Sequence, residues 1–171
     1  MHQAAFDYVS ECVRQLRFIN FPLNKVVEFG GQDVNESNLG LLVRDLVKDA
    51  QYLSVDIYPG RGVDVVCDAA DWRTDEKYDL VICCETLEHT PRGKEIIESA
   101  HEALRPGGIL LLTCATDPRA VHGAATDMPL PGEYYQNVSP DDMKNWLLDW
   151  GDYNMEVHPQ GDLYVSALKR I

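Results

Sequence analysis

The sequence predicts an α/β fold, a doubly wound and mostly parallel seven-stranded sheet that closes with an antiparallel C-terminal hairpin. Three observations predict it. Short β-rich runs alternate with amphipathic helical patterns along most of the chain. Tyr78–Cys84 (YDLVICC) and Ile109–Ala115 (ILLLTCA) are apolar almost throughout, as strands covered on both faces are. The chain then finishes on two strand-like runs, Tyr153–His158 and Leu163–Leu168, joined by Pro159-Gln160-Gly161-Asp162.

Each element follows in order. Phe6, Val9, Val13 and Leu16 recur every three to four residues, the period of an amphipathic helix. Asn20-Phe21-Pro22 ends it, since the residue before proline avoids helical geometry. Lys25–Phe29 is a buried strand running into the Gly30-Gly31 turn. Leu39, Leu42, Val43, Leu46, Val47 and Ala50 predict a helix, capped by Asn35 or Ser37 with Glu36 in its first turn. Tyr52–Ile57 and Val63–Cys67 are the next strands. Only about six residues separate them, and a parallel crossover normally takes a dozen or more, so this one is expected to be short or an extended loop. Ile96, Ile97, Ala100 and Leu104 mark a helix that stops at Arg105-Pro106-Gly107-Gly108. Asp117–Asn137 is rich in Pro, Gly, Ala and polar residues and reads as a long loop, of a length that is usually functional or disordered. Ser139-Pro140-Asp141-Asp142 carries the cap, first-turn proline and acidic residues of a short helix bearing Met143, Trp146, Leu147 and Trp150.

The chain has 171 residues, the size of one domain, with no repeat or linker visible. Residues 1–171 are therefore read as one unit, with 1–20 as an N-terminal helix and 116–138 as an active-site loop. The formal net charge is −13, which repels polyanions and argues against general nucleic-acid binding. The five cysteines, Cys12, Cys67, Cys83, Cys84 and Cys114, are odd in number, lack C-x-x-C spacing and lie mostly in apolar runs. That pattern suits reduced thiols in the cytoplasm. No apolar run approaches the roughly 20 residues that span a bilayer, and the charged N-terminal segment does not resemble a signal peptide.

In an open parallel sheet, ligands bind beyond the carboxyl ends of the strands, where strand order reverses. Glu28-Phe29-Gly30-Gly31 ends the first strand, Asp56 the second, Asp68 the third and Glu85 the fourth. Any one acid there reads as a cap or a solvated side chain. Four at successive strand ends ask for donors such as ribose hydroxyls, an amino group or backbone N–H groups.

These strings resemble the class I S-adenosylmethionine (SAM)-dependent methyltransferases over nearly the whole chain, which implies a Rossmann-like fold. VVEFGG resembles their first motif, which contacts the methionine part of SAM through Glu28, Phe29, Gly30 and Gly31. YLSVDI resembles the second, implying that Asp56 accepts from both ribose hydroxyls and Ile57 packs on adenine. VVCDAADW resembles the third, implying an adenine-amino contact for Asp68 and a backbone N–H from Ala69, with Trp72 either stacked on the ring or packed in the core. YDLVICCETLEHT resembles the fourth, with Cys84 and Glu85 beside the sulfonium and Leu87, Glu88 and His89 opening the next segment. ALRPGGILLLTC resembles the turn and fifth strand. The first motif departs from E-x-G-x-G-x-G, because Gln32 and Val34 replace the later glycines. GQDVNESN is similar to a bacterial and phage-borne subset in which Asn35 supplies a polar contact instead.

The resemblance implies a methyltransferase using SAM on an unidentified acceptor, with a small molecule as the expected class. Its rival is a non-catalytic SAM-binding or scaffold protein with the same fold. A nicotinamide enzyme needs G-x-G-x-x-G, and from Gly30 the later glycines fall on Gln32 and Asn35. No P-loop string is present, and no histidine pair has H-E-x-x-H spacing, so no metal site is expected. In the long loop, His122 has the chemistry of a base, and Tyr135 beside Tyr134 of closing over the acceptor; a solvated histidine and loop-anchoring tyrosines are the plainer readings. His101 reads as an ordinary helix residue.

Overall fold

The computed structural model describes residues 2–34 and 42–171. Among the described residues seven strands form one sheet: β1 (Lys25–Phe29), β2 (Gln51–Asp56), β3 (Val65–Val66), β4 (Tyr78–Cys84), β5 (Leu104–Ala115), β6 (Tyr153–His158) and β7 (Asp162–Leu168). Their order is β3-β2-β1-β4-β5-β7-β6. β1 to β5 pair in parallel, and β7 lies antiparallel between β5 and β6. The expected sheet and closing hairpin are therefore observed, with the second hairpin strand, not the first, joining β5.

Alternation along the strands divides the core in two. Helix α1 (Gln3–Phe18) buries Ala5, Val9, Val13 and Leu16, one stripe at three- and four-residue steps. Val9, Val13 and Leu16 pack with Val26, Leu80, Ile82 and Cys84 of the sheet. Val27, Phe29, Val81 and Cys83 point the other way, toward Ile96, Ile97 and Ala100 of α2 (Gly93–Ala103) and Met143 of α3 (Pro140–Trp146). The adjacent thiols Cys83 and Cys84 thus lie in different clusters. A carboxylate in place of Val13 would set an unpaired charge against the sheet and detach α1. At the start of α3 the Ser139 hydroxyl accepts from Asp142 N at 3.0 Å, the cap its sequence predicts.

Several boundaries differ from the sequence pattern. The helix expected from Leu39 to Ala50 is a single 3-10 turn over Val43–Val47, preceded by extended Leu42; its expected start lies outside the described residues. The third strand is only Val65–Val66, and no helix links it to β2, so the short crossover is an extended loop. Arg105-Pro106-Gly107-Gly108 does not precede the fifth strand but bulges within it. Tyr78 pairs with Leu104 while Leu80 pairs with Ile109, so the extra residues bow out around Asp79. Gly107 takes φ +74° there, and Arg105 Nε donates to Asp79 Oδ1 at 2.6 Å. Asp79 Oδ2 also accepts from Asn24 N and Lys25 N, tying the entry of β1 to the bulge. No helix among the described residues is long and apolar enough to cross a membrane.

Candidate active site at the carboxyl edge of the sheet

Strand order reverses between β1 and β4, and the turn after β1 opens there. Gly30 has φ +76°, and a Cβ on it would stand 2.0 Å from Thr86 Oγ1 in the turn after β4. The two turns therefore touch through a position only glycine fits. A Cβ on Gly31 would stand 2.0 Å from Ser54 Oγ and 2.8 Å from Glu28 Oε2. Glu28 is buried under the turn and accepts from the Tyr52 hydroxyl. Burial pushes its pKa up to about 7, with Tyr52 and Arg44 pulling the other way. The Phe29 side chain is in the core, 5.5 Å from Trp72 edge to face, so only its backbone is free for a ligand. Trp72 in turn packs between Phe29 and Tyr78; the core reading of this residue holds, and ring stacking on a ligand is not available to it. Asn35 lies outside the described residues.

Asp56 ends β2 almost fully buried. Its Oδ2 accepts from Gln32 N and its Oδ1 from Tyr58 N, both at 3.0 Å. One donor comes from the turn after β1 and one from the turn after β2, so the carboxylate is fixed across both. Ile57 beside it is 54% exposed, a large apolar side chain left facing the solvent at this edge. Asp68 is more exposed. Its Oδ1 accepts from Ala70 N at 2.9 Å, and its Oδ2 holds Arg92 Nη1 at 2.8 Å. Ala69 is buried next to it.

At the end of β4, Cys84 is buried, and burial holds its thiol protonated, well above its ordinary pKa. Glu85 takes φ +51°, a left-handed conformation that costs a non-glycine residue about 1–3 kcal/mol. Its backbone N–H donates to Thr113 O at 2.8 Å. Its Oε2 lies 3.3 Å from His2 Nε2 and 3.9 Å from Arg119 Nη2, and Oε1 is buried with Thr113 nearby but no hydrogen bond of ordinary geometry. Burial alone would raise the Glu85 pKa; His2 and Arg119 outweigh it and hold the carboxyl low. His2 is raised in return, through its hydrogen bond to Glu85. Arg119 also donates to Asp162 at the start of β7, and His2 lies 3.2 Å from that carboxylate. The first turn of α1 and the long loop are thus pinned to the ends of β4 and β7.

A second grouping stands beside this one. His89, His122 and Tyr135 meet ring to ring, at 5.2 Å (His89–His122), 5.5 Å (His89–Tyr135) and 4.7 Å (His122–Tyr135). The Tyr135 hydroxyl donates to Asn137 Oδ1 at 2.8 Å, and His122 Nδ1 is 3.1 Å from Ala120 O. Burial pushes Tyr135 up to about 12 and draws His89 below its ordinary value. Glu88, fully buried behind His89, is raised to about 8 by burial and by the Glu85 charge.

Of the residues singled out from sequence, Gly30, Gly31, Asp56, Ile57, Asp68, Ala69, Cys84, Glu85 and His89 lie at or near this edge, and the loop residues His122 and Tyr135 meet His89 there. Glu28 and Phe29 turn inward beneath it. His2, Arg92, Arg119 and Asp162 escaped sequence reasoning, because each is far from its partners along the chain. Thr86, two residues past the strand end, had only the glycine at Gly30 to announce it.

A family model described as a methyltransferase domain matches residues 1–160. Two curated proteins named ubiquinone biosynthesis O-methyltransferase match in part. The one from Idiomarina loihiensis is 40% identical over 52 residues, covering 29% of this chain and 21% of that protein. The one from Leptothrix cholodnii is 31% identical over 84 residues, covering 44% and 36%. The match therefore spans well under half the length of these relatives. Among solved structures, a Burkholderia thailandensis 1,6-didemethyltoxoflavin-N1-methyltransferase with bound S-adenosylhomocysteine (SAH) has a TM-score of 0.65 at 16% identity, over 98% of this chain and 79% of that one. That likeness is one of fold.

Proposed function

The chain belongs to the methyltransferase family whose domain model spans residues 1–160, and from that premise we propose that it moves the methyl group of SAM to a small-molecule acceptor. The observation that carries the reading is Asp56. Its two oxygens are held by backbone N–H groups from two different turns, and each keeps acceptor capacity for one of a pair of ribose hydroxyls. The residues fit the rest of the cofactor. Ile57 offers an apolar surface for adenine, Asp68 an acceptor and Ala69 a backbone N–H for its edge. The backbone at Gly30 and Gly31 lies beside the methionine part. Cys84 and Glu85 border the sulfonium, and Glu85 Oε1, buried without a donor, suits a cationic group.

SAM when bound supplies an electrophilic methyl carbon on a positively charged sulfur. The protein's part is alignment and exclusion of water, which accounts for much of the rate in such displacements. Tyr135, with its pKa pushed to about 12, stays a phenol at neutral pH; its proton goes to Asn137 Oδ1, which leaves the phenol oxygen as an acceptor and the ring as a wall for the methyl acceptor. Proton acceptance, where the acceptor needs it, falls to His122 across the ring contact. A small acceptor is supported by the names of the matched proteins, a 1,6-didemethyltoxoflavin-N1-methyltransferase and two ubiquinone biosynthesis O-methyltransferases. A cytoplasmic location is supported by five free thiols.

Calorimetric titration with SAH tests the binding claim, with saturable one-to-one binding expected. Methyl transfer from labelled SAM to a pooled set of phenols and heteroaromatic amines tests catalysis. Binding without transfer to any pool would favour a scaffold; no binding would end the reading.

A further inference from the structure

We propose that Glu88, His89 and His122 form a binding site for one first-row divalent metal ion where the long loop meets the carboxyl edge of the sheet. Each residue offers one ligand atom, and these atoms lie within 4.8 Å of one another. Metal–ligand bonds of about 2.0–2.2 Å ask the group to close by roughly an ångström, which the half-buried loop residue His122 can supply. The set is assembled from a 3-10 turn, Leu87–His89, and the long loop, so it has no sequence-spacing signature.

Three features distinguish it from a chance grouping. Glu88 is 0% exposed; one oxygen accepts from Ala115 N at 3.2 Å and the other, Oε2, has no hydrogen-bond partner. A buried carboxyl oxygen left without a hydrogen-bond partner is costly, and a cation is a partner that removes the cost. His89 Nδ1 is likewise buried with no partner. His122 Nδ1 stands 3.1 Å from Ala120 O, which can only accept, so Nδ1 carries the hydrogen and Nε2 keeps its lone pair. That carbonyl–imidazole contact is how metal-binding histidines are usually oriented.

A neighbouring group of the same spacing, His2, Glu85 and Asp162, lacks this character. The Arg119 guanidinium already donates to Asp162 and approaches Glu85, so positive charge fills that position. Two imidazoles and one carboxylate make a borderline donor set, which suits Zn²⁺ or Mn²⁺ better than the all-oxygen preference of Ca²⁺. Three protein ligands leave a coordination position open, and Tyr135 walls it on one side. An acceptor with an oxygen donor atom would complete the shell; with the ion bound, His122 is a ligand, and the ion takes over from that imidazole the task of easing the proton off the acceptor oxygen.

The test uses the whole chain, stripped with a chelator and titrated calorimetrically with Zn²⁺ and, separately, Mn²⁺, without SAM. This readout is independent of cofactor binding, so its failure would leave the methyltransferase reading standing. One-to-one binding of at least one of the two ions is expected, weakened at least tenfold in His122→Ala and in Glu88→Gln. His158→Ala, on the edge strand, is expected to bind as the parent does. His122→Ala alters only a loop side chain, so an unchanged thermal midpoint would show that it folds and let it decide the matter if Glu88→Gln does not fold. No binding of either ion, or parental affinity in His122→Ala, would overturn the proposal.

Discussion

Arg92 Nη1 donates to Asp68 Oδ2 at 2.8 Å, while Arg92 also grips both oxygens of Asp71 at 2.7 Å. The guanidinium therefore fixes the carboxylate proposed to meet the adenine edge. Asp68→Ala is expected to weaken SAH binding by about 1.5–3 kcal/mol, the usual worth of a hydrogen bond to a charged group. Arg92→Gln leaves Asp68 Oδ1 on Ala70 N and is expected to weaken binding by a smaller amount. Asp71→Ala breaks only an exposed pair and should stay within about 1 kcal/mol of the parent. Calorimetry on the three variants checks the order; an Arg92→Gln loss exceeding that of Asp68→Ala would contradict it.

Gly30 is a second place where one residue decides the site. With φ +76° and Thr86 Oγ1 only 2.0 Å from the would-be Cβ, Gly30→Ala incurs both backbone strain and a clash. Destabilisation of about 1–3 kcal/mol is expected in urea unfolding. Adding Thr86→Ala should restore part of this, because it removes the clash but not the strain. A Gly30→Ala protein as stable as the parent would refute the packing of the two turns.

Glu28 gives a pH dependence. Its pKa is about 7 in the folded protein, above the ordinary carboxylate value, because burial disfavours the charge. Between the unfolded pKa and about 7 the native state holds more protons than the unfolded one, so stability falls as pH rises through that window. The slope from this group is at most about 1.4 kcal/mol per pH unit. Glu28→Gln should flatten that slope and gain relative to the parent above pH 7. Urea midpoints at acidic and mildly alkaline pH measure it, and parallel profiles for the two proteins would contradict the assignment.

The aromatic grouping makes a kinetic prediction that rests on the proposed methyl transfer. Tyr135→Phe keeps the ring contacts to His89 and His122 and removes the hydroxyl. SAH affinity is expected to be unchanged while kcat/KM for the acceptor drops. Weaker SAH binding with kcat/KM for the acceptor unchanged at saturating SAM would place Tyr135 on the cofactor side.

Much of the fold could be read because period and apolarity are local properties. YDLVICC and ILLLTCA announce doubly covered strands, and Ser139-Pro140 announces the start of α3, without reference to the rest of the chain. The Arg105–Gly108 string misled for the opposite reason. Its turn residues are real, but sheet pairing on either side absorbs them as a bulge in β5. The strand-end acids were legible because the topology sends every parallel strand to the same edge. Their partners were not: Arg92 for Asp68, and His2 and Arg119 for Glu85, are joined only by the folded chain. Trp72 shows the remaining ambiguity, since an aromatic after a strand suits a ligand or a core equally until Phe29 and Tyr78 are seen around it.

Asp56 tests the central claim most directly, through SAH titration of the parent and of Asp56→Ala in the same calorimetric experiment. The account predicts one-to-one binding by the parent, weaker by about 1–3 kcal/mol in the variant, with the fold retained. Absence of binding by the parent would contradict the cofactor reading itself, and equal affinity in a folded variant would contradict the ribose contact on which it rests.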